Sequence, residues 1–562
     1  MVTSGSIPLI FIFLSITLIL IPWHSGYIYS GSDVRFHINR IIELTHSLNK
    51  GFPLVNFKTF NGIGYDVNSF YPSMSVYLIS PIFLIKNPVN AYYILLMLLL
   101  FLTQVCSYIS GRSLKMRKES AVLFAIFYTF SEYMWFVFLY AFELGEILAF
   151  IAFPLILTSI ISYTHPKYVD EKFLRYREGI FLLSFVWVTY SHILSAIICL
   201  LITIPFLLFN VFRYKKWNLL KQYVIIGFSY SLATSFFWVN LLHEYLFNGI
   251  VGPEKYLDVS SAQQLVTNSL ENKLATGNGD PFQSVGVGVI LLIAALILIT
   301  NFHKLNKLEK ALTVSAGIFF VLSSNLFCWE TLDIHVKSLE TIQYTFRFLI
   351  LVVLTLSLAI SLFYKGKVKV VICFVICIAL FNINASQHFV NMGQEQDEFT
   401  TKPLFRKEPK YANIKVNKET FKYLYQGFYG IKGGPGDYLT KKQKQYFNTI
   451  ARHEVLFNGR RVKSAHTEDT NSITYKFYLS KDGTIDLPIL KTNHQYQATD
   501  NGNRICYKVS KRGTLSINRL RKGRHVINVR VVPSALFMFS IALSIIGVLP
   551  TIFKFIKIYR NR

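Results

Sequence analysis

The sequence predicts a polytopic α-helical membrane protein with about 12 crossings and a β-rich domain before the last helix. Three observations predict this class. Of the 562 residues, 52% are hydrophobic and only 16% are charged, whereas soluble proteins carry roughly 25% charged residues. Apolar runs that approach the roughly 20 residues of a bilayer crossing recur along the chain. Between residues 385 and 533, short alternating segments replace these runs. A wholly water-soluble protein and a disulfide-stapled protein are therefore excluded.

The apolar runs give the predicted crossings in order. They lie near residues 7–22, 88–110, 119–138, 141–163, 178–195, 196–213, 219–238, 285–301, 309–328, 346–364, 368–384 and 534–553. The first run lacks the basic start and the small-residue cleavage site of a signal peptide, so we expect a retained anchor. The stretch 71–85 is short and contains two prolines, and we interpret it as a re-entrant or interfacial helix.

Short connectors rich in Lys and Arg indicate the cytoplasmic side of the membrane. They lie in residues 112–118, 167–177, 213–221, 304–310, 365–369 and 554–562. The longer segments, which are 23–87, 239–284, 329–345 and 385–533, are then predicted outside the cell. The predicted organisation is a transmembrane domain over 1–384 with the first outer loop at 23–87, an extracytoplasmic domain over 385–533, and a last helix with a cytoplasmic tail over 534–562.

The predicted outer domain is basic as well as β-rich. It holds 27 Lys and Arg against 12 Asp and Glu, in a chain of net charge +27. Alternating strands such as 473–479 and 525–531, separated by turn residues, favour a β-sandwich. Because the long apolar runs make nucleic acid a poor partner for this charge, we expect anionic lipid or an anionic surface polymer. A surface cap or spacer stays the alternative role.

The first outer loop carries the main candidate residues. Asp33, His37 and Arg40 have a spacing that puts them on one stripe of a helix, beside an apolar face formed by Val34, Ile38 and Ile41. We therefore expect a helix along the membrane surface with its apolar face toward lipid or protein. The alternative is structural: Ser32 or Asp33 caps the helix and the cations contact phospholipid.

A second acidic site lies in the turn 141–146, on the same predicted side of the membrane. Glu143 and Glu146 stand there between two apolar runs. A carboxylate so near the bilayer is costly to keep, so it indicates a functional site. We expect Asp33 and Glu146, together with Glu143, to converge from the two loops.

Five further residues are candidates for substrate or phosphate binding. Tyr65 and Tyr71 lie in an aromatic, glycine-bearing approach to the stretch 71–85, where interfacial aromatics are the alternative. His192 lies at a break between two spans, where a packing histidine is the alternative. Gln343 and Arg347 lie at the outer end of a span. The Arg347 fork could hold a phosphate, or its side chain could snorkel to the interface.

These segments together resemble a known superfamily. The first span is followed by Gly-x-Asp-x-x-Phe-His-x-x-Arg-Ile at 31–41, Asn-Gly-x-Gly-Tyr at 61–65 and Phe-Tyr-Pro at 70–72. This order resembles bacterial multispanning proteins of the GT-C glycosyltransferase superfamily, especially the groups called "6-pyruvoyl-tetrahydropterin synthase-related" and YfhO-like membrane proteins. Short pieces around Glu146, at 191–195 and at 343–349 are also similar. The resemblance covers nearly the whole chain as scattered short motifs.

The resemblance implies transfer of a sugar from a polyprenyl-phosphate or polyprenyl-diphosphate donor to an acceptor outside the bacterial plasma membrane. Asp33 matches the acid of the first outer loop, which acts as general base or positions the acceptor, and Glu146 matches the second-loop acid. Many members carry adjacent paired acids in the first loop, whereas Asp33 has no acidic neighbour. No cofactor is therefore firmly predicted, and Mg²⁺ or Mn²⁺ stays an open alternative.

The expected mechanism uses the same residues. Ionised Asp33 would take the proton of an acceptor hydroxyl during in-line attack, while Arg40, His37 and Arg347 would stabilise charge on the departing phosphate. Direct displacement predicts inversion at the sugar carbon. The basic domain favours an anionic cell-envelope acceptor such as a teichoic acid.

Two other classes stay open. A transporter or flippase for lipid-linked glycans should carry ionisable residues near the bilayer midplane and internal repeats. A non-catalytic scaffold would bind envelope polymer through residues 385–533 and would not need Asp33.

Overall fold

The fold is mostly helical, with a β-rich region near the C-terminus. The computed structural model describes residues 5–29, 31, 33–247, 249–252, 255–272, 285–364, 367–394, 397–398, 414–426 and 438–560. Among these residues, seven helices are long and apolar enough to cross a membrane: Ser6–His24, Pro88–Ser113, Leu144–Thr164, Ile193–Tyr214, Thr345–Phe363, Val368–Gln394 and Ala535–Lys557. Two bent pairs raise the number to nine if each is one span: Lys118–Thr129 with Glu132–Ala141, and Trp217–Ala233 with Ser235–Phe247. A multi-pass membrane protein follows from these helices.

Twelve crossings are not confirmed. The three remaining predicted runs correspond to helices Glu171–Thr189, Val289–Thr300 and Lys307–Leu322. The first begins with two turns rich in charged residues. The second would extend only about 18 Å, which is less than the roughly 30 Å of bilayer hydrocarbon. The helical stretch Met74–Leu84 is also shorter than a crossing, as the sequence predicts for 71–85.

The other helices are short or lie in the connecting segments. They are Val34–Ser47, Val67–Phe70, Ala262–Glu271, Trp329–His335, Tyr423–Gln426, Lys441–Gln445 and Phe447–Ala451. The strands are β1 (Ile28–Tyr29), β2 (Leu257–Asp258), β3 (Gln343–Tyr344), β4 (Asp397–Glu398), β5 (Ile414–Val416), β6 (Leu456–Phe457), β7 (Arg460–Arg461), β8 (Ser464–Asp469), β9 (Ser472–Leu479), β10 (Gly483–Leu490), β11 (Gln495–Asp500), β12 (Asn503–Ile505), β13 (Lys508–Val509), β14 (Thr514–Leu520) and β15 (Gly523–Val532).

Two five-stranded antiparallel sheets form a sandwich between residues 456 and 532. Their strand orders are β13-β14-β10-β6-β7 and β12-β11-β15-β9-β8. Alternate residues of β9 and β15 are buried, and Ile473 lies opposite Val529 while Tyr475 lies opposite Ile527. Side chains of both sheets share one apolar core, because each strand buries every second residue. The predicted β-rich domain before the last helix is confirmed.

The sandwich packs directly on the first outer loop. The Leu54 backbone N–H donates to Asn471 Oδ1 at 2.6 Å, and Asn471 Nδ2 donates to the Phe52 carbonyl at 2.9 Å. The Leu490 N–H donates to the Ile63 carbonyl at 2.9 Å. The loop also contributes Leu54, Val55 and Phe57 to the sandwich core. The loop and the sandwich therefore lie at the same end of the helical part.

The other long segments reach the same end. The Asn493 N–H of the sandwich donates to Glu244 Oε1 at 3.0 Å. Strand β2 pairs in parallel with β3 through Leu257 and Gln343, which joins the segment after residue 239 to the segment after residue 329. The segments that the sequence predicts outside the cell thus meet one another. Their location outside the cell stays a prediction.

Helix Val34–Ser47 lies inside the protein, so its apolar face packs on protein rather than on lipid, and its location along the membrane surface stays a prediction. Twelve of its 14 residues are buried. Arg35 Nε and Asn39 Nδ2 both donate to the Leu424 carbonyl, at 3.2 and 2.9 Å. Helix Tyr423–Gln426 thus satisfies polar groups that solvent or headgroups would otherwise satisfy. A contact across more than 380 residues has no local sequence signal.

The predicted domain boundary at residues 384 and 385 falls inside a helix. Val368–Gln394 continues for ten residues past residue 384. Within it, Asn382 Nδ2 donates to Thr17 Oγ1 and to the Leu14 carbonyl, both at 3.1 Å. These bonds join the helix to the first span.

Glu43 fixes the segment 57–59 to helix Val34–Ser47. Its carboxylate accepts hydrogen bonds from Thr59 Oγ1 at 2.8 Å, from the Lys58 N–H at 3.1 Å and from the Phe57 N–H at 3.3 Å. Burial raises the pKa of Glu43 to about 7, although these hydrogen bonds oppose the rise. The folded chain therefore holds the Glu43 proton more tightly than the unfolded chain does.

This pKa predicts a stability that falls as the pH rises. The contribution of Glu43 is fully present below about pH 4.5, its ordinary pKa, and is lost as the pH rises through about 7. We expect the free energy of unfolding to fall by up to about 3 kcal/mol across this window. Glu43→Gln should flatten the slope in thermal unfolding at pH 4.5 to 8, whereas Glu330→Gln on the exposed surface should not. An unchanged slope in Glu43→Gln would contradict this assignment.

Asn471 provides a second test of the fold. Its left-handed backbone (φ 59°) is shared by Asn501 (φ 50°), which lies in another turn of the sandwich. Of these two residues, Asn471 bonds to the first outer loop, whereas Asn501 Nδ2 donates to the Arg524 carbonyl within the sandwich. We expect Asn471→Ala to cost about 1–3 kcal/mol and to speed hydrogen exchange at residues 52–57. Asn501→Ala carries the same turn strain and should leave exchange in that loop unchanged. Equal exchange in the two variants would refute the docking role.

Candidate functional site

Two segments far apart in sequence meet through their backbones. A Cβ on Gly31 would lie 1.4 Å from the Tyr140 carbonyl oxygen, so no other residue permits this approach. The Asp33 N–H donates to the Ala141 carbonyl at 3.1 Å. Phe142 then adopts a left-handed backbone with φ 49°, just before Glu143. The structure thus brings the two predicted acidic segments side by side.

Asp33, His37 and Arg40 lie in a row at the start of helix Val34–Ser47. His37 Nε2 is 3.9 Å from Asp33 Oδ2, and Arg40 Nη1 is 3.2 Å from His37 Nδ1. Asp33 occupies the N-cap position, but its carboxylate caps no N–H of this helix among the described residues. Ser32, the other predicted cap, lies outside the described residues. The Asp33 side chain is 44% exposed, so this carboxylate is the accessible member of the row.

Arg40 is buried and held by protein groups. It donates through Nη2 to the Pro72 carbonyl, and its guanidinium lies 4.3 Å from the Tyr71 ring centroid. Burial lowers the pKa of Arg40 to about 10, while the neighbouring Tyr71 opposes the fall. Arg40 therefore stays cationic at neutral pH.

Glu146 pairs with Arg347. Glu146 Oε1 lies 3.3 Å from Arg347 Nε and 4.0 Å from His192 Nδ1. Arg347 Nη1 donates to the Ile342 carbonyl at 2.6 Å and to Gln343 Oε1 at 3.2 Å. Glu146 and Arg347 lie in the first turns of the candidate spans Leu144–Thr164 and Thr345–Phe363, so the ion pair lies at the ends of two crossings.

His192 is a neutral neighbour of this ion pair. Its Nδ1 accepts the Ser195 N–H at 3.3 Å, which caps the helix that begins at Ile193. Burial, together with the charges of Arg347 and Arg40, lowers the pKa of His192 to about 3. His192 therefore both caps this helix and lies beside the pair of Glu146 and Arg347.

Tyr71 lies between the two parts of the cluster. Its ring centroid is 5.8 Å from that of His37 and 5.9 Å from that of His192. A Cβ on Gly145 would lie 2.8 Å from the Tyr71 hydroxyl oxygen, so glycine leaves the space for this ring. Burial raises the pKa of Tyr71 well above its ordinary value, Arg40 opposes the rise, and Asp33 and Glu146 are among the charges that add to it.

Glu143 is the third carboxyl group of the cluster. Burial raises its pKa well above the ordinary value, the charge of Glu146 raises it further, and Arg347 opposes the rise. Burial therefore favours the protonated form of Glu143. A neutral carboxyl group can donate a hydrogen bond, which an ionised one cannot.

The structure brings eight of the ten predicted site residues into one group, the acid–arginine cluster. Its members are Asp33, His37, Arg40, Tyr71, Glu143, Glu146, His192 and Arg347. Gln343 supports Arg347 from strand β3. Tyr65 stacks on Phe60 in a neighbouring apolar cluster with Leu490 and serves packing there. Sequence reasoning missed the roles of Gly31 and Gly145, because their importance comes from contacts with distant segments. It also missed Ser195, whose N–H bonds to the nearby His192 ring.

The cluster does not form a complete cation site in the described residues. Mg²⁺ and Mn²⁺ require several oxygen ligands, preferably ionised. Here Arg347 pairs with Glu146, and burial favours the protonated form of Glu143. Because one carboxylate is paired with an arginine and two arginines already supply positive charge, the residues present do not fit a divalent ion.

A separate His/Glu group lies where the sandwich meets the first outer loop. His453, His466 and Glu468 have ligand atoms within 4.8 Å of one another. His453 Nδ1 is 2.7 Å from the Tyr475 hydroxyl, and its Nε2 is 2.6 Å from the Asn61 carbonyl oxygen. The rings of His453 and His466 are stacked 3.8 Å apart. Hydrogen bonds thus occupy both nitrogens of His453, which makes the group a docking contact rather than a metal centre.

Comparison of the chain with protein-family models, curated proteins and solved structures gives no match.

Gly31 supplies the test of this site geometry. Gly31→Ala would drive a methyl group into the Tyr140 carbonyl, so the two segments must separate, at a cost of about 1–3 kcal/mol or more. Gly317→Ala is the matched control, because a Cβ there meets nothing within 4 Å. We expect thermal unfolding to show a lower midpoint for Gly31→Ala and an unchanged or higher one for Gly317→Ala. Equal midpoints would contradict the close approach.

Proposed function

We propose that this chain is a membrane glycosyltransferase. It moves a sugar from a polyprenyl-phosphate donor to an anionic cell-envelope acceptor on the side of the membrane where the sandwich lies, outside the bacterial plasma membrane. One observation carries the proposal: an accessible carboxylate, Asp33, stands at the edge of a buried cluster with two arginines, of which Arg347 lies at the end of a candidate span.

The position of the cluster suits a lipid-linked donor. The polyprenyl chain stays in the bilayer and its phosphate stays at the headgroup level, which is where a candidate span begins. Arg347, in the first turn of such a span, can contact that phosphate through its fork. Arg40 is engaged by Pro72 and Tyr71, so in this proposal it acts by holding His37 rather than by binding phosphate.

Asp33 is the proposed general base. It takes the proton of the acceptor hydroxyl while the hydroxyl oxygen forms a bond to the sugar carbon. The bond between that carbon and the phosphate oxygen breaks, and its electron pair leaves with the phosphate. Arg347 stabilises the charge that develops there. A single displacement of this kind inverts the sugar carbon, and no step needs a metal ion.

The basic outer domain supports an anionic acceptor. Residues 385–533 carry an excess of Lys and Arg, and the described sandwich packs on the loop that holds Asp33. A polymer that bears phosphates would be drawn to this surface. Its nearest hydroxyl would then lie at the end of the protein where Asp33 is accessible.

Substitution of the two acids tests the function. We expect Asp33→Asn to lower glycosylation of the surface polymer about 10²- to 10⁴-fold, because the proton acceptor is lost. Glu146→Gln should lower it less, since it removes the partner of Arg347 and leaves Asp33 in place. The measurement is the mass of the surface glycopolymer at matched levels of membrane protein.

Glu330→Gln is the control for removal of a carboxylate on an exposed segment. It should leave glycosylation unchanged. Full glycosylation in both Asp33→Asn and Glu146→Gln would refute the proposal and favour a scaffold or a transporter.

A further inference from the structure

The row of Asp33, His37 and Arg40 runs from the protein interior to an accessible carboxylate. Arg40 and His37 are buried, at 1% and 0% exposure, whereas the Asp33 side chain is 44% exposed. The distances are 3.2 Å from Arg40 Nη1 to His37 Nδ1 and 3.9 Å from His37 Nε2 to Asp33 Oδ2. Each nitrogen of the His37 ring therefore faces a different charged group.

The chemistry of arginine fixes the proton on His37. A guanidinium has five N–H donors and no acceptor, so Nδ1 of His37 must accept the hydrogen bond with its lone pair. Burial, and then the charge of Arg40, lower the pKa of His37 well below its ordinary value. The ring is thus neutral and carries one proton, which lies on Nε2. This N–H faces Asp33.

Neighbouring rings hold His37 in this orientation. The ring centroids of Phe36, Tyr71 and Phe142 lie 5.3, 5.8 and 6.1 Å from that of His37, all in edge-to-face arrangements. Arg40 is held in turn by the Pro72 carbonyl and by Tyr71. A flipped ring would put Nε2–H against the arginine donors, which is unfavourable.

We infer that Arg40 and His37 are positioning residues that present one fixed N–H to Asp33. This donor favours the ionised form of the Asp33 carboxylate, which is the proposed acceptor of the hydroxyl proton. A small rotation of the accessible Asp33 side chain closes the gap of 3.9 Å, as occurs when a substrate tightens a long apo contact. The proton stays on His37 throughout. The role of the acceptor rests on the proposed function, whereas the location of the proton does not.

Two substitutions of His37 separate a donor from a proton carrier. In His37→Gln the amide oxygen can accept from Arg40 and the amide N–H can donate to Asp33. His37→Met has similar bulk and neither group. We expect His37→Gln to keep glycosylation within about 10-fold of the parent, and His37→Met to lose about 10²- to 10³-fold, the effect of removing one preorganised donor. Thermal unfolding establishes that both variants fold.

Two activity results would overturn the inference. Equal loss in folded His37→Gln and His37→Met would mean that the imidazole itself moves a proton. Full activity in His37→Met would mean that the ring serves packing alone. Arg40→Lys, which keeps a donor, should retain more activity than Arg40→Met.

Nitrogen NMR of the full chain tests the location of the proton without any substrate. The protein is labelled with ¹⁵N-histidine, and the His37 signals are those absent from His37→Gln. We expect an unprotonated Nδ1 and a protonated Nε2, unchanged from pH 5 to 8. Asp33, Arg40, His192 and Tyr71 are the titratable groups that face this ring. A protonated Nδ1 would overturn the inference, while failure of Asp33→Asn to reduce glycosylation would overturn only the function.

Discussion

The close contact between the backbones of residues 31–33 and 140–141 is the constraint on which the rest of the site depends. Asp33 is separated from Glu146 by more than one hundred residues and by two candidate crossings. Only the missing Cβ of Gly31 lets the first segment touch the Tyr140 carbonyl, and the Asp33 N–H then bonds to Ala141. Because these bonds involve the main chain, they fix the direction of the helix that begins at Val34. The direction of this helix in turn determines the positions of His37 and Arg40.

Charge balance explains how so many ionisable groups are buried together. An unpaired charge in the interior is costly, yet this cluster contains three carboxyl groups, two histidines and two arginines. The pKa directions favour a protonated Glu143 and neutral histidines. Two cations, Arg40 and Arg347, then balance the charge of the two remaining carboxylates. The group is close to neutral as a whole, which is the condition under which it can pack without an added ion.

The sequence predicted the class of the fold and the patterns within single helices and strands better than the contacts between distant segments. Hydropathy found the long spans, and alternation found strands such as β9 and β15, because each signal repeats within one element. It missed β8 and β11, whose inward residues include Ser464 and Tyr496 rather than a run of aliphatic side chains. It placed Asp33, His37 and Arg40 on one stripe, since helical spacing is local. It could not foresee that Leu424 covers the same helix or that Gly31 and Gly145 provide space for distant groups.

The balance of the cluster also determines how a donor phosphate would bind. Arg347 is already paired with Glu146 and supported by Gln343, so a phosphate must share or displace a carboxylate. If the phosphate shares Arg347 with Glu146, two negative groups surround one guanidinium. Their charge favours the protonated form of the neighbouring Glu143. The neutral Glu143 can then donate a hydrogen bond toward the phosphate, while Arg347 keeps its fork. In the proposed reaction, the pairing would thus adjust to an incoming anion through a carboxyl group whose burial favours its protonated form, and Asp33, on the other side of Tyr71, would serve the acceptor.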